Sequence, residues 1–291
     1  MRLTVFTPTY NRRELLARAY ASLKAQTSKD FEWLIVDDGS TDGTDDEVKK
    51  WIDEGVVPIR YAYRENGGKM RAHNTGVAMC NTPLFVCLDS DDQLTGTAVS
   101  DLLAAYDEAK KNETEDEKIG GVVAHKGCTD EKLLGPSDFP KVKTSTLFGL
   151  YRSGFAGETT LMYETDLLRR FPFPEIEGEK YVPEDYIYDK IDEVCVLAVL
   201  PRIVTVCEIT DSGYTGSVKK LKRDNVNAFY LYYEQRAFIT PPGLLKIKYL
   251  GRLAIYARRS GRPVFHGSRI GKAWLAAGCI YAGFLLLMRR E

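Results

Sequence analysis

The residues best equipped for chemistry in this 291-residue chain are Asp89-Ser90-Asp91-Asp92, directly behind the apolar run Leu84-Phe85-Val86-Cys87-Leu88. A short apolar run after Pro83 reads as a buried strand ending in a loop. Three carboxylates within four residues at the rim of a core repel one another and raise their own pKa values unless a cation neutralises them. A hard divalent ion, Mn2+ or Mg2+, prefers carboxylate and phosphate oxygens and resolves that conflict, which makes Asp91 and Asp92 candidate metal ligands. Alone, such a run also reads as a solvated acidic turn. The eighty residues in front of it decide between the two.

Three further polar clusters stand there, each just past an apolar run: Thr7-Pro8-Thr9-Tyr10-Asn11, Asp37-Asp38 and Asn66-Gly67-Gly68-Lys69. Tyr10 can offer its ring to a flat base. Asp38, or Asp37, can accept a hydrogen bond from an imide N–H, which uracil has and cytosine lacks. Gly67 and Gly68 allow close backbone approach, and Lys69 adds a positive charge. An ion on Asp91 and its neighbours would bridge two phosphates and stabilise a diphosphate leaving group. The set suits a nucleotide-diphosphate donor.

The elements that must hold these clusters alternate regularly. Leu3–Thr7, Phe31–Val36, Ile59–Tyr63, Leu84–Leu88 and Gly120–Ala124 read as strands. Helical spacing follows Asn11 and Glu14, then Thr44 and Glu47 (both pairs resembling capping boxes), then Arg71–Met79 and Ala98–Lys111. Strand and helix alternating four times predict an α/β layer with a mainly parallel sheet, which binds ligands beyond the carboxyl ends of its strands. All four polar clusters fall on that rim. After Thr129 the pattern loosens. Glu158–Tyr163 reads as a strand, Tyr186–Ile191 as a helix, and Val194–Leu200 with Ile203–Glu208 as a hairpin around Pro201-Arg202. The expected division is a nucleotide-sugar-binding and catalytic domain over 1–215 and a basic helical extension over 216–291.

The formal net charge of −1 hides an asymmetry: residues 216–291 hold 15 Lys and Arg against 3 acids, which leaves 1–215 at −13. An acidic body with a basic tail implies two tasks. Ala273–Met288 has no formal charge and is bracketed by Lys272 and Arg289-Arg290. Sixteen residues give about 24 Å of helix, short of the roughly 30 Å hydrocarbon core. An interfacial helix held by basic residues is expected, with burial against the body as the alternative. Cysteines 80, 87, 128, 195, 207 and 279 form no C-x-x-C pair and read as free thiols in a reducing compartment. Leu3–Phe6 runs straight into Pro8 and polar residues, unlike a secretory leader. The expected place is the cytoplasm, peripheral at the inner face of the cell membrane, with no nucleic-acid partner.

No G-x-G-x-x-G follows the first strand and no G-x-x-x-x-G-K-[ST] occurs, which weighs against dinucleotide and P-loop chemistry. The three histidines have no zinc-ligand spacing. In contrast, Thr7-Pro8-Thr9-Tyr10-Asn11, Asp37-Asp38-Gly39-Ser40-Thr41-Asp42, Asn66-x-Gly68-x-x-x-Ala72-x-Asn74-x-Gly76 and Asp89-Ser90-Asp91-Asp92 together resemble the ordered motifs of the family-2 inverting glycosyltransferases with the GT-A fold. The resemblance is strong over about residues 1–125, weaker over 126–215 and absent beyond. It implies that Tyr10 stacks on uracil, that Asp38 contacts it, that Asp91 and Asp92 meet ribose and metal, and that Asp89 opens a D-x-D signature. The family's base is usually the aspartate of a Glu-Asp pair, which here matches Asp185 with Glu184 beside it. An inverting transfer needs one such carboxylate to take the acceptor hydroxyl proton while the diphosphate leaves from the opposite face. Glu184-Asp185 also reads as a pair stabilising the dipole of the helix that follows. Glu158 and Glu179 are weaker candidates for acceptor contacts. Lys69, Arg71 and His73 are expected near the nucleotide, His73 equally as a packed neighbour.

The implied activity is transfer of a sugar from a UDP-sugar to a glycan or lipid-linked acceptor in surface polysaccharide synthesis. Two rivals stand beside it. A sugar-nucleotide nucleotidyltransferase would carry a Gly-rich basic loop after the first strand, unlike Thr7-Pro8-Thr9-Tyr10. A non-catalytic nucleotide-sugar binding protein would not need Asp91 or Glu184-Asp185.

Overall fold

The computed structural model describes residues 1–207, 218–264 and 271–288. Strand β1 (Leu3–Thr9) is buried along its whole length, as a strand covered on both faces must be. It pairs in parallel with β2 (Phe31–Asp37) on one side and β4 (Leu84–Cys87) on the other, and β2 pairs in parallel with β3 (Ile59–Tyr63). The crossings are the helices α1 (Arg13–Lys24), α2 (Thr44–Glu54) and α3 (Lys69–Met79).

On one face, Tyr20 of α1 and Trp51 of α2 stack on each other at 4.5 Å, and each stacks on Trp33 of β2. Such ring pairs add about 0.5–1.5 kcal/mol each beyond the area they bury. The indole N–H of Trp33 donates to Thr7 Oγ1 at 2.9 Å, so the buried ring leaves no orphan donor. On the other face, α3 lies against β1 at Gly76, where an added Cβ would fall 2.3 Å from the Phe6 ring. Only glycine permits that approach.

The sheet continues through β5 (Asp92–Leu94), β6 (Ile119–Gly127), β7 (Thr144–Ser145), β8 (Thr159–Glu164) and β9 (Val196–Cys207). Its order is β3-β2-β1-β4-β8-β6-β9-β5, with β7 on β9. The pairings of β8 with β4 and β6 are antiparallel, as are β5 and β7 with β9, while β6 and β9 run parallel. The helix α4 (Ala98–Lys111) follows β5, and α5 (Leu147–Arg152), α6 (Thr165–Arg170) and α7 (Asp185–Ile191) come later in the chain.

Three local expectations give way. The hairpin around Pro201-Arg202 is one long strand: β9 pairs with β6 on both sides of the dipeptide, and the register shifts between Leu200 and Ile203 to pass it. Neither capping box forms. Asn11 sits at φ 51 and spends its side chain on Thr41. Thr44 lies inside α2, where its N–H and hydroxyl donate to Asp42.

The chain gathers into two units. One comprises Met1–Phe173 with the described part of Ile187–Ile209; the other comprises Pro174–Tyr186 with the described part of Thr210–Glu291. The second is helical: α8 (Val218–Asp224), α9 (Val226–Ile239), α10 (Leu244–Ser260) and α11 (Lys272–Leu287). Its core joins Phe229, Tyr230 and Tyr233 of α9 to Leu250 and Tyr256 of α10 and Leu275 of α11. Tyr230 and Tyr233 thus pack within this unit, with the partly buried Tyr232 against them. Gly251 and Gly278 let α10 and α11 touch: a Cβ on Gly278 would stand 2.5 Å from Leu250 Cβ. Among the described residues no helix is long and apolar enough to cross a membrane. All six cysteines are free thiols.

Candidate active site

In the sheet unit, β1 leaves β4 at the Phe6–Cys87 pairing but stays with β2 as far as Thr9–Asp37. The strands diverge at their carboxyl ends, where a doubly wound sheet opens a crevice. Four loops border it, and each is tied to the next. Asn11 accepts the Thr41 N–H at 2.8 Å, and its own N–H donates to Ser40 Oγ at 2.8 Å. The Asp38 carboxylate accepts the N–H groups of Gly67 and Gly68, the latter at 2.6 Å. Lys69 Nζ meets Asp89 Oδ1 at 2.7 Å. Arg12 closes the ring on Asp91 Oδ2 at 2.8 Å. The loops named by sequence therefore form one circuit.

Within it, Tyr10 is exposed at the end of β1, and beside it Thr9 Oγ1 is buried with no hydrogen-bond partner among the described residues. Gly68, at φ 95, starts α3 in a conformation closed to other residues. Gly67 lies between Arg64 and Arg71, and Arg71 donates to its carbonyl at 2.9 Å.

The acidic run is already matched by cations. Besides Lys69 on Asp89 and Arg12 on Asp91, Lys126 of β6 binds Asp92 Oδ2 at 2.8 Å and lies 3.9 Å from Asp89. Burial disfavours the charge on Asp89, but Lys69, Lys126 and Arg12 outweigh it and hold the carboxyl well below the usual range. Asp92 is shifted upward by burial, with the Asp89 charge adding and Lys126 opposing. Its carboxylate is buried in that pair, away from the rim. Among the described residues no three His, Cys, Asp or Glu side chains gather to hold an ion. A divalent ion held by one or two carboxylates plus substrate phosphates needs less, and the partly open Asp91 with donor phosphates is the set that fits.

Several expected contacts point elsewhere. Thr7 is occupied by Trp33. Pro8 is buried in β1 opposite Val36. Asp37, fully buried, accepts from the Ser40 N–H and the Tyr61 hydroxyl. Asp38 organises the glycine loop and pairs with Arg64 at 3.2 Å. Asn74 pairs both ends of its amide with the backbone of Phe173. His73 is buried edge-on to Phe6, Phe85 and Phe173, and desolvation, helped by Lys69, lowers its pKa to about 3. It is a neutral packing residue.

The helical unit carries the other acidic grouping. Arg236 of α9 contacts Asp185 Oδ2 at 2.8 Å, and the Tyr232 hydroxyl donates to the same oxygen at 3.4 Å. The pKa of Asp185 is raised from the ordinary aspartate value: desolvation raises it, Arg236 opposes, and the Glu184 charge adds. Glu179 caps α9, accepting from the N–H groups of Asn227 and Ala228 at 2.7 and 2.8 Å. It is thereby a helix cap, and Glu158 lies exposed at the entry to β8. Sequence reading missed Arg12, Arg64, Lys126 and Arg236. Each lies outside the motifs, and only the excess of acids hints that cations must answer them.

Residues 4–130 match the family model of glycosyl transferase family 2, so the resemblance drawn from the motifs is borne out over those residues. The teichoic acid poly(glycerol phosphate) polymerase of Staphylococcus epidermidis is 34% identical over 110 residues, 36% of this chain and 15% of the polymerase. The GalNAc(5)-diNAcBac-PP-undecaprenol beta-1,3-glucosyltransferase of Campylobacter jejuni is 27% identical over 184 residues, 60% of this chain and 55% of that enzyme. The chain thus spans at most about half the length of either relative. Among solved structures, S. aureus TarS in complex with UDP-GlcNAc superposes with a TM-score of 0.64 at 20% identity, over 89% of this chain and 72% of that one. That likeness establishes an α/β fold of the GT-A type.

Proposed function

We propose that this chain is an inverting glycosyltransferase that moves a sugar from a UDP-sugar to a glycan or lipid-linked acceptor in surface polysaccharide synthesis. The closed circuit of four loops carries the reading: Asn11–Thr41, Asp38–Gly68, Lys69–Asp89 and Asp91–Arg12 border one crevice. The names of the relatives, a teichoic acid polymerase and an undecaprenol-linked glucosyltransferase, supply the substrate class.

In this reading Tyr10 stacks on the uracil, Thr9 and the Gly67-Gly68 backbone face the ribose and diphosphate, and Lys69 shifts toward phosphate as the donor enters. Asp91 would hold a divalent ion, Mn2+ or Mg2+, together with the donor phosphates. The ion, when bound, neutralises charge on the leaving diphosphate. Asp185 takes the acceptor hydroxyl proton while that oxygen bonds to the anomeric carbon and the carbon–diphosphate bond breaks toward UDP. Donor binding and catalysis are assigned to residues 1–215 and surface attachment to 216–291. The exposed Ile280, Phe284 and Leu287 of α11 support a peripheral place at the inner face of the cell membrane. Arg289 and Arg290, expected to help, lie outside the described residues.

The test is a panel of UDP-glucose, UDP-galactose, UDP-N-acetylglucosamine and UDP-glucuronic acid, scored for UDP release with and without Mn2+. Release with one donor that Asp185→Asn abolishes, while UDP still binds, supports the reading. No release from any donor, or undiminished turnover by Asp185→Asn, would remove it.

A further inference from the structure

Arginine is seldom buried unless it is paired. Arg236 is 7% exposed, and its Nη2 meets Asp185 Oδ2 at 2.8 Å. Its guanidinium also lies over the Tyr232 ring at 5.5 Å, one helical turn back. The segment that carries the acidic pair is fastened to the same helix along its length. Asn225 Oδ1 accepts the N–H groups of Lys180 and Tyr181 at 3.0 Å, Glu179 caps the first turn, and Gln235 donates to the Tyr186 carbonyl at 2.8 Å. A surface loop merely resting on a helix needs none of this.

We propose that Arg236 and Tyr232 are positioning residues that fix Asp185 as an ionised base, an inference that rests on the base assignment above and deepens it. Both contacts run to Oδ2, which leaves Oδ1 to take the acceptor proton. Two charged groups besides Asp185 set its ionisation in this unit: Arg236 favours the carboxylate and Glu184 disfavours it, with the Tyr232 hydroxyl on the side of Arg236. Removing Arg236 therefore raises the pKa of Asp185, and the acid limb of kcat moves to higher pH.

The test compares Arg236→Gln, Arg236→Lys, Tyr232→Phe and Asp185→Asn in the full chain, following UDP release from the panel's best donor against pH. Arg236→Gln is expected to move the acid limb of kcat about one unit higher, which lowers kcat by up to about tenfold on the acid side, with the donor KM within about twofold. The deficit closes as pH rises, and Arg236→Lys restores most of the limb. A wild-type limb in folded Arg236→Gln overturns the proposal, as does an equal loss at every pH that lysine does not rescue. Should Arg236→Gln fail to fold, Tyr232→Phe decides: a smaller upward shift supports the proposal and an unchanged profile overturns it. Turnover by Asp185→Asn would sink the base assignment itself. An inactive Asp185→Asn beside an unshifted Arg236→Gln would sink this inference alone.

Discussion

The Gly68 amide donates to the Asp38 carboxylate at 2.6 Å, across the gap between the ends of β2 and β3. The same carboxylate takes the Gly67 N–H, the Asn66 side-chain amide and the Arg64 guanidinium. An acid that the sequence assigns to the nucleobase is thus the clamp that shapes the Gly67-Gly68 loop. Under the proposed function, its effect on nucleotide binding would run through the position of Gly67, Gly68 and the start of α3.

Asp38→Asn keeps the shape of the side chain but replaces an acceptor with a donor that faces backbone N–H groups. Hydrogen bonds to a charged partner contribute about 1.5–3 kcal/mol each. Losing one or two should weaken UDP binding by roughly tenfold to a hundredfold and lower the melting temperature by several degrees. Calorimetric titration with UDP, paired with a thermal melt, checks both, and wild-type affinity would show that the clamp is dispensable.

Gly68→Ala probes the same loop from the backbone side. At φ 95 and ψ 159 the residue occupies a region essentially reserved for glycine, and a Cβ there costs about 1–3 kcal/mol. The expected outcome is a destabilised start to α3 and weaker UDP binding with little change in the acid limb of turnover. Full affinity would mean that the loop tolerates another backbone path.

How much of this was legible follows from where the physics is local. The strands β1 to β4 and the helix α4 stand almost where spacing placed them, because a buried parallel strand and an amphipathic helix advertise themselves in a short window. The rim clusters were legible for the same reason: each follows a strand directly. Roles within them were not. Asp37, Asp38, Thr7 and Asn74 are all polar residues near the rim, but their partners Tyr61, Gly68, Trp33 and Phe173 are remote in sequence. The long β9 reads as two strands because Pro201-Arg202 signals a turn, whereas a register shift against β6 absorbs it. Lys126 and Arg236 lay hidden in ordinary strand and helix patterns.

His73 gives a pH prediction with a definite sign. Its folded pKa, about 3, lies below the ordinary value of 6.5 because burial disfavours the charged ring. The unfolded chain therefore binds the extra proton, and stability is lost as pH falls from about 6.5 toward 3. The slope from this one residue approaches about 1.4 kcal/mol per pH unit. Urea unfolding of wild type and His73→Phe between pH 7 and 5 should show the wild-type curve falling more steeply, and parallel curves would refute the assignment.

Lys126 and Asp92 form a largely buried pair, 16% and 8% exposed. Removing one partner of such a pair leaves an uncompensated charge and costs about 3–5 kcal/mol, whereas replacing both with apolar residues is far cheaper. Lys126→Met should therefore unfold at much lower urea, and Lys126→Met with Asp92→Leu should recover most of the loss. Additive losses in that cycle would mean that the two side chains act independently.

The helical unit makes the last prediction. On α11 the residues Ala276, Ile280, Gly283, Phe284 and Leu287 recur at helical spacing and are exposed, Ile280 and Leu287 at 76% and 84%. The opposite face, with Leu275, Ala282 and Leu285, is packed in the unit's core. The helix is too short to span a bilayer, and its packed face would not leave the core at no cost, so the exposed face suits shallow insertion at an interface. The same unit exposes Lys219, Lys220, Arg223, Lys248, Arg258, Arg259 and Arg262, and a basic residue near an anionic surface adds about 1 kcal/mol. Sedimentation with phosphatidylcholine–phosphatidylglycerol vesicles should bring the wild type down at low salt. It should release the protein as salt rises toward 0.5 M, since the screening length falls to several ångströms at about that strength. Ile280→Glu with Leu287→Glu should stay in the supernatant at every salt while melting as the wild type does, because both side chains are exposed. Equal sedimentation of that variant would assign the attachment to charge alone, and wild type left in the supernatant at low salt would remove the membrane from the function of this helix.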